Sequence, residues 1–223
     1  MADPRWATFD CYGTLVDWNA GILAELERLF GASSGGEQLL SRYHAIEPRV
    51  QSEHPTWSYR EVMAAVLAKL ASEAGVALPP NERGALGRSL PAWPVFPEVP
   101  DALAEAHDRG WKLVALSNTD RDLIEASMNA IGVPFDGLIV ASEVGSYKPA
   151  PGHWQAFRES TGADRERQVH VAQSHFHDIV PANALGIRTV WINRLGERGE
   201  PAPTRELPDL RGLADVLDEL IPR

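Results

Sequence analysis

Apolar positions change their period along this chain, and the changes mark out two kinds of structure. Trp6-Ala7-Thr8-Phe9 is a short run of aromatic and β-prone residues, which predicts a strand. From Trp18 the spacing lengthens: Ile22, Leu23, Leu26, Leu29 and Phe30 recur three and four apart, with Glu25, Glu27 and Arg28 between them, as in a helix. The stretch Ala32-Ser33-Ser34-Gly35-Gly36 ends it. A second helix is expected from about Glu37 to Ile46, with Leu39, Leu40, Tyr43 and Ile46 on one side, and Pro48 and Pro55 interrupt the next few residues. Val62, Met63, Val66, Leu67 and Leu70 place a third over about Ser58 to Ala74, and a short fourth is expected over about Asn81 to Ser89. The proline-rich segment from Leu90 to Pro97 reads as a linker or hinge.

Beyond it, short apolar runs alternate with helical ones. Strands are expected at Lys112–Leu116, Gly137–Val140, Val169–Ala172 and Arg188–Ile192. Helices are expected at Val99–Arg109, Arg121–Ile131, His153–Ser160 and Ile179–Leu185, with Gly110, Gly132 and Gly186 as stops. Alternation of this kind implies right-handed crossovers and a parallel sheet. The chain leaves this plan after its first strand and later rejoins it. The prediction is an α/β core, residues 1–17 and 95–223, with a helical cap domain inserted at 18–94.

Composition narrows the partners. The formal net charge of the 223 residues is −10 and no Lys/Arg-rich run exists, which disfavours nucleic acid and anionic membrane surfaces. The single cysteine, Cys11, rules out an intrachain disulfide and a Cys-based zinc site, and no run reaches membrane-span length. A cytoplasmic enzyme or binding protein is the expectation.

The polar residues that could carry chemistry lie just past four predicted strand ends: Asp10 to Thr14, Ser117-Asn118, Lys148, and Ser174 to Asp178. Asp10, read alone, is as readily a turn-capping acid as a nucleophile. In a parallel sheet, however, all four ends share one edge, and the crevice there is where such folds bind ligands. The convergence favours a nucleophilic Asp10.

The order Asp10-x-Tyr12-Gly13-Thr14-Leu15-x-Asp17, then Leu116-Ser117-Asn118, Tyr147-Lys148-Pro149, and an acid before a helix resembles the haloacid dehalogenase superfamily over essentially the whole chain. The resemblance implies a Rossmann-like core with a helical cap. Phosphatases of that superfamily carry Asp-x-Asp-x-Thr; Tyr12 stands in place of the second acid, a pattern similar to the (S)-2-haloacid dehalogenase branch, which works without metal or other cofactor. By this resemblance Asp10 displaces halide from C2 to form an aspartyl ester, Thr14, Ser117 and Lys148 hold its carboxylate, and Asp178 activates the hydrolytic water. Lys148 is also expected to keep Asp10 ionised. Arg42 matches a halide-binding arginine, Asn118 a residue near the substrate carboxylate, and Tyr12 and Tyr59 line the pocket. A small-molecule haloacid partner and a homodimer are implied.

Other residues invite blander readings. Cys11 is expected to pack in the core and Asp17 to be a structural acid, while His44, His54 and His170 are assigned no role. The chain departs from the dehalogenase pattern at Gln173, His175, His177 and Trp154. Large rings at 154, 175 and 177 predict a compact pocket suited to a haloacetate, fluoroacetate included, with protonated His175 or His177 assisting the leaving group. The alternatives are a phosphatase or other phosphoryl-transfer hydrolase, disfavoured by the missing acids at 12 and 173, and an inactive binding protein on the same fold.

Overall fold

The computed structural model describes residues 3–31 and 34–223; Ala32 and Ser33 of the Ser/Gly stretch lie outside the described residues. Strand β1 (Arg5–Phe9) is followed by four helices, α1 (Trp18–Phe30), α2 (Gly36–Glu53), α3 (Tyr59–Glu73) and α4 (Ala85–Ser89). Then come α5 (Val99–Asp108), β2 (Trp111–Ser117), α6 (Arg121–Ile131), β3 (Gly137–Val140), α7 (Ala141–Val144), α8 (Gly152–Thr161) and β4 (Gln168–Ala172). A π-helical turn at His175–Ile179 leads into α9 (Val180–Ala184), β5 (Arg188–Ile192), β6 (Arg205–Leu207) and α10 (Leu213–Leu220).

The sheet runs β3-β2-β1-β4-β5-β6, with every pair parallel. This is the doubly wound strand order, in which connections diverge on either side of β1 and open a crevice at the carboxyl ends. The core strands are buried on both faces, as continuous apolar runs such as Leu113–Leu116 require.

The inserted helices are joined to the sheet by two chain segments running side by side. Val16 bridges Val95 in antiparallel fashion, Asp17 N–H donates to Pro94 C=O at 2.7 Å, and Phe96 N–H donates to Leu15 C=O at 3.1 Å. Asp17 caps α1, its carboxylate accepting from Ala20 N–H at 3.0 Å. Ser58 and Glu61 form a capping box on α3. The same α3 N-terminus is tied to the core, because the backbone N–H groups of Tyr59 and Arg60 donate to Asp120 at 2.8 and 3.1 Å. Gly21 is required by packing, since a Cβ there would lie 2.2 Å from the Trp93 ring.

Several elements differ from the sequence expectation, and α7 and α10 are not among the expected helices. Helix α2 continues through Pro48 to Glu53; the proline removes only one N–H, the partner of the His44 carbonyl. The expected fourth helix shrinks to Ala85–Ser89 behind a 3₁₀ turn at Pro80–Glu82. Strand β6 has no counterpart in the apolar pattern; its three residues are too few and too polar to carry a strand signal.

Candidate active site

The turn after β1 is built to present a carboxylate. Gly13 has φ +94°, a conformation that side chains resist, and it folds the chain so that Thr14 returns beneath Asp10. Thr14 Oγ1 donates to Asp10 Oδ2 at 2.8 Å and itself accepts from Gln173 N–H at 2.8 Å. Lys148 Nζ donates to Asp10 Oδ1 at 2.9 Å, to Asp178 Oδ1 at 2.6 Å and to the Leu116 carbonyl at 2.7 Å. All three ammonium protons are thus engaged. Asp10, Lys148 and Asp178 are buried, and four separate strand ends contribute to one cluster.

Asp178 has a second, deeper support. His170 Nε2 lies 2.9 Å from Asp178 Oδ1, and its Nδ1 lies 3.0 Å from Thr8 Oγ1, which accepts from Gln168 Nε2 at 3.0 Å. The ionised carboxylate requires a proton on Nε2, while Thr8 Oγ1 also reaches the Val169 carbonyl at 3.3 Å. The remaining oxygen, Asp178 Oδ2, is buried without a protein partner, as is Ser117 Oγ. Both residues line the cavity, Ser117 with a hydroxyl that can donate or accept and Asp178 with an oxygen that can only accept.

Electrostatics separates the two carboxylates. Burial pushes Asp178 up, but the Lys148 charge and the His170 contact prevail and hold it well below the usual carboxylate range. Burial pushes Asp10 up, and although Lys148 and Thr14 oppose this, the Asp178 charge adds to it, so Asp10 is raised above 3.8. Lys148 acts on Asp10 in the expected direction, favouring the charged form, but one ammonium serves two carboxylates and does not fully offset burial. Burial alone would lower Lys148, yet its two acid partners raise it.

A cavity of about 690 Å³ opens above this cluster. Its floor holds Asp10, Ser117, Lys148 and Asp178; its roof comes from α1, α2 and α3 through Trp18, His44, Glu47, Gln51 and Tyr59; exposed Phe176 of the π-helical turn and Leu195 and Arg198 of the loop after β5 border it. Tyr12 and Tyr59 line it together, their rings stacked at 6.4 Å, with the Tyr12 hydroxyl 3.1 Å from Ser127 Oγ. Among the described residues, no three His, Cys, Asp or Glu side chains cluster to hold a metal ion. The space between the two floor carboxylates is taken by the Lys148 ammonium.

Several assignments change. Arg42 points away from the cavity: it is 49% exposed and paired with Glu73 at 2.7 Å, because the face of α2 turned inward is the one carrying His44, Glu47 and Gln51. Trp154 packs beneath the sheet with Val114, Leu116 and Phe157 and stands edge-on to His170, so it narrows nothing. The pocket is accordingly roomy rather than compact. Asn118 spends its amide on the Lys148 backbone, donating to its carbonyl at 3.0 Å and accepting from its N–H at 2.6 Å, and so positions the lysine. His177 lines the cavity, but burial lowers it to about 4, so it is neutral rather than protonated. His175 borders the cavity with Nε2 3.0 Å from the Pro201 carbonyl and its ring against Trp191.

Sequence reading missed His44, Glu47, Gln51 and His170. The first three stand three and four residues apart, a polar stripe that a cavity-lining helix face requires and that solvent exposure would equally explain. His170 is a polar residue within the buried strand β4, a signal that did point inward.

The chain is similar in sequence and fold to known proteins. The model of the haloacid dehalogenase-like hydrolase family matches residues 4–186. An (S)-2-haloacid dehalogenase of Pseudomonas sp. (strain YL) is 28% identical over 225 residues, covering 94% of this chain and 93% of that protein. Haloacetate dehalogenase H-2 of Moraxella sp. (strain B) is 35% identical over 103 residues, 45% of this chain and 46% of that one. The solved structure of an L-2-haloacid dehalogenase superposes with a TM-score of 0.86 at 25% identity, covering 97% of this chain and all of the other.

Proposed function

Because the chain belongs to the haloacid dehalogenase-like hydrolase family, we propose that it hydrolyses small 2-haloalkanoic acids to 2-hydroxyacids through an ester on Asp10. The observation that carries this reading is the shared ammonium: Lys148 touches both Asp10 and Asp178, while the oxygen of Asp178 not used in that contact has no protein partner. Such a site has one carboxylate to attack and another to handle water.

In the first step an Asp10 oxygen attacks C2 and the halide leaves with the C–X electron pair, so no proton has to reach the leaving group. Thr14 and Lys148, one on each Asp10 oxygen, fix the carboxylate for in-line approach. The unpartnered Ser117 hydroxyl is available for the substrate carboxylate. In the second step water attacks the Asp10 carbonyl carbon. Asp178 Oδ2 accepts its proton, and Lys148 stabilises the oxyanion that develops on Asp10 Oδ1. The adduct collapses with cleavage of the bond between Cγ and the ester oxygen, so that the 2-hydroxyacid departs with that oxygen and takes up the proton lent to Asp178, restoring both carboxylates. Asp178 is a weak base that is always in its basic form, and it acts by position. The cavity volume of about 690 Å³ admits a side chain at C2, so substrates are not confined to haloacetates.

The test is a paired assay of halide release from chloroacetate and (S)-2-chloropropionate and of phosphate release from an aryl phosphate, each with EDTA and with Mg²⁺. Halide release that survives EDTA and is lost in Asp10→Asn is the expected outcome. Mg²⁺-dependent phosphate release without halide release refutes the reading.

A further inference from the structure

An in-line displacement sends the leaving group away from the nucleophile, so the roof of the cavity decides what that group meets. With Asp10 on the floor, the departing atom moves toward α2 and α3. The cations are elsewhere: Arg42 is turned outward, Lys148 is bound between two carboxylates, and Arg198 rides on an exposed loop at the cavity's border. His44 lines the roof with Nε2 2.9 Å from Asn19 Oδ1, and burial lowers it to about 4, so it carries no charge.

What α2 does turn inward is Glu47 and, one turn on, Gln51, only 2% and 5% exposed. The hydroxyls of Tyr59 and Tyr43 both donate to Glu47 Oε1, at 2.8 and 3.2 Å. Among the described residues, no protein group bonds to Glu47 Oε2 or to the Gln51 amide. An ionised carboxylate here would repel both an anionic substrate and a departing halide. Building on the dehalogenase reading, we propose that Glu47 is the leaving-group residue: its protonated carboxyl donates a hydrogen bond from Oε2 to the departing halide, with the Gln51 amide as a second donor.

The tyrosine contacts direct the proton to Oε2, since both lone-pair directions of Oε1 are already occupied. Burial raises Glu47 to about 7, and the two tyrosine hydroxyls only partly reverse this. The groups facing it are neutral Tyr43 from its own helix, Tyr59 from α3 and Tyr147 from the segment before Lys148; Asp10, Tyr12, His44, Lys148, His175, His177, Asp178, Glu197 and Arg198 border the same cavity. As the Asp10 oxygen bonds to C2, the C–X bond breaks and X departs as halide. The proton remains on Glu47 throughout, and the halide leaves past the exposed loops.

The experiment measures kcat/KM for chloroacetate and iodoacetate between pH 5.5 and 9 in the wild type, Glu47→Gln and Glu47→Leu. In the wild type, activity falls as pH rises through about 7. Glu47→Gln keeps an acceptor for the tyrosines and a donor for the halide but cannot ionise, so this fall disappears. Glu47→Leu loses about fivefold more on chloroacetate than on iodoacetate, because chloride is the stronger acceptor. Equal losses on the two halides, or a fall near pH 7 that persists in Glu47→Gln, overturn the proposal and leave Glu47 as a strut between α2 and α3. If the wild type releases no halide at any pH, the dehalogenase reading itself fails, and this inference falls with it.

Discussion

Replacing Asp178 by Asn separates the two chemical steps and tests the charge balance at once. The amide keeps the size of the side chain and can still accept from His170 and Lys148 through Oδ1. It removes the base for ester hydrolysis and one of the two charges that compete for Lys148. The Oδ1 atoms of Asp10 and Asp178 both touch the same Nζ, so they are no more than about 5.5 Å apart. At an effective dielectric constant of about 20, two unit charges at that distance repel by about 3 kcal/mol. That corresponds to about two pH units in the ionisation of Asp10. Asp10 must be ionised to attack, so activity rises with pH through its pKa, and removing a neighbouring negative charge lowers that pKa. Rapid-mix assays of chloroacetate with Asp178→Asn are expected to release one halide per active site and then stall. The acid limb of that burst should lie about two units below the limb of the wild type. An intact-mass measurement should find the ester on the protein. Sustained turnover at wild-type rate, or a burst whose acid limb stays in place, refutes the assigned roles.

Three further outcomes are expected from contacts in the same region. His170→Leu removes a buried hydrogen bond to a charged group, and it is expected to cut steady-state turnover by about ten- to a hundredfold while sparing the burst; loss of the burst itself would show that His170 supports Asp10 instead. Arg42→Ala is expected to leave kcat and KM for chloroacetate unchanged, because the guanidinium pairs with Glu73 on the outer surface; a raised KM would mean that the side chain reaches the cavity. Glu47 should also make stability pH-dependent. Its folded value of about 7 exceeds the ordinary 4.5, so the folded state binds the proton more tightly and stability is lost as pH rises between those values. Urea titrations should find Glu47→Gln gaining up to about 3 kcal/mol on the wild type between pH 4.5 and 7.5; a difference that does not change with pH would place the carboxyl in a solvated setting.

What the sequence determined by itself is the arrangement set by period and punctuation. Short apolar runs alternating with helices dictate a parallel sheet, and a parallel sheet brings the residues after each strand to one edge. That is why Asp10, Ser117, Lys148 and Asp178, spread over most of the chain, are legible as one site from their order alone. Asp17 as a structural acid, which the fold shows capping α1, and Cys11 as a buried thiol are legible for the same local reasons. The tertiary structure alone decided which face of each element looks at the substrate. Helix α2 has polar residues on two sides, and a cavity and bulk water both tolerate polarity, so nothing in the pattern distinguishes the outward Arg42 from the inward Glu47. Trp154 posed the same ambiguity, because an aromatic on a crossover helix packs against the sheet whether or not a pocket lies near. The ionisation of the floor could not be read from spacing either. It depends on one ammonium lying within 3 Å of two carboxylates, a distance set only when four strand ends have closed together.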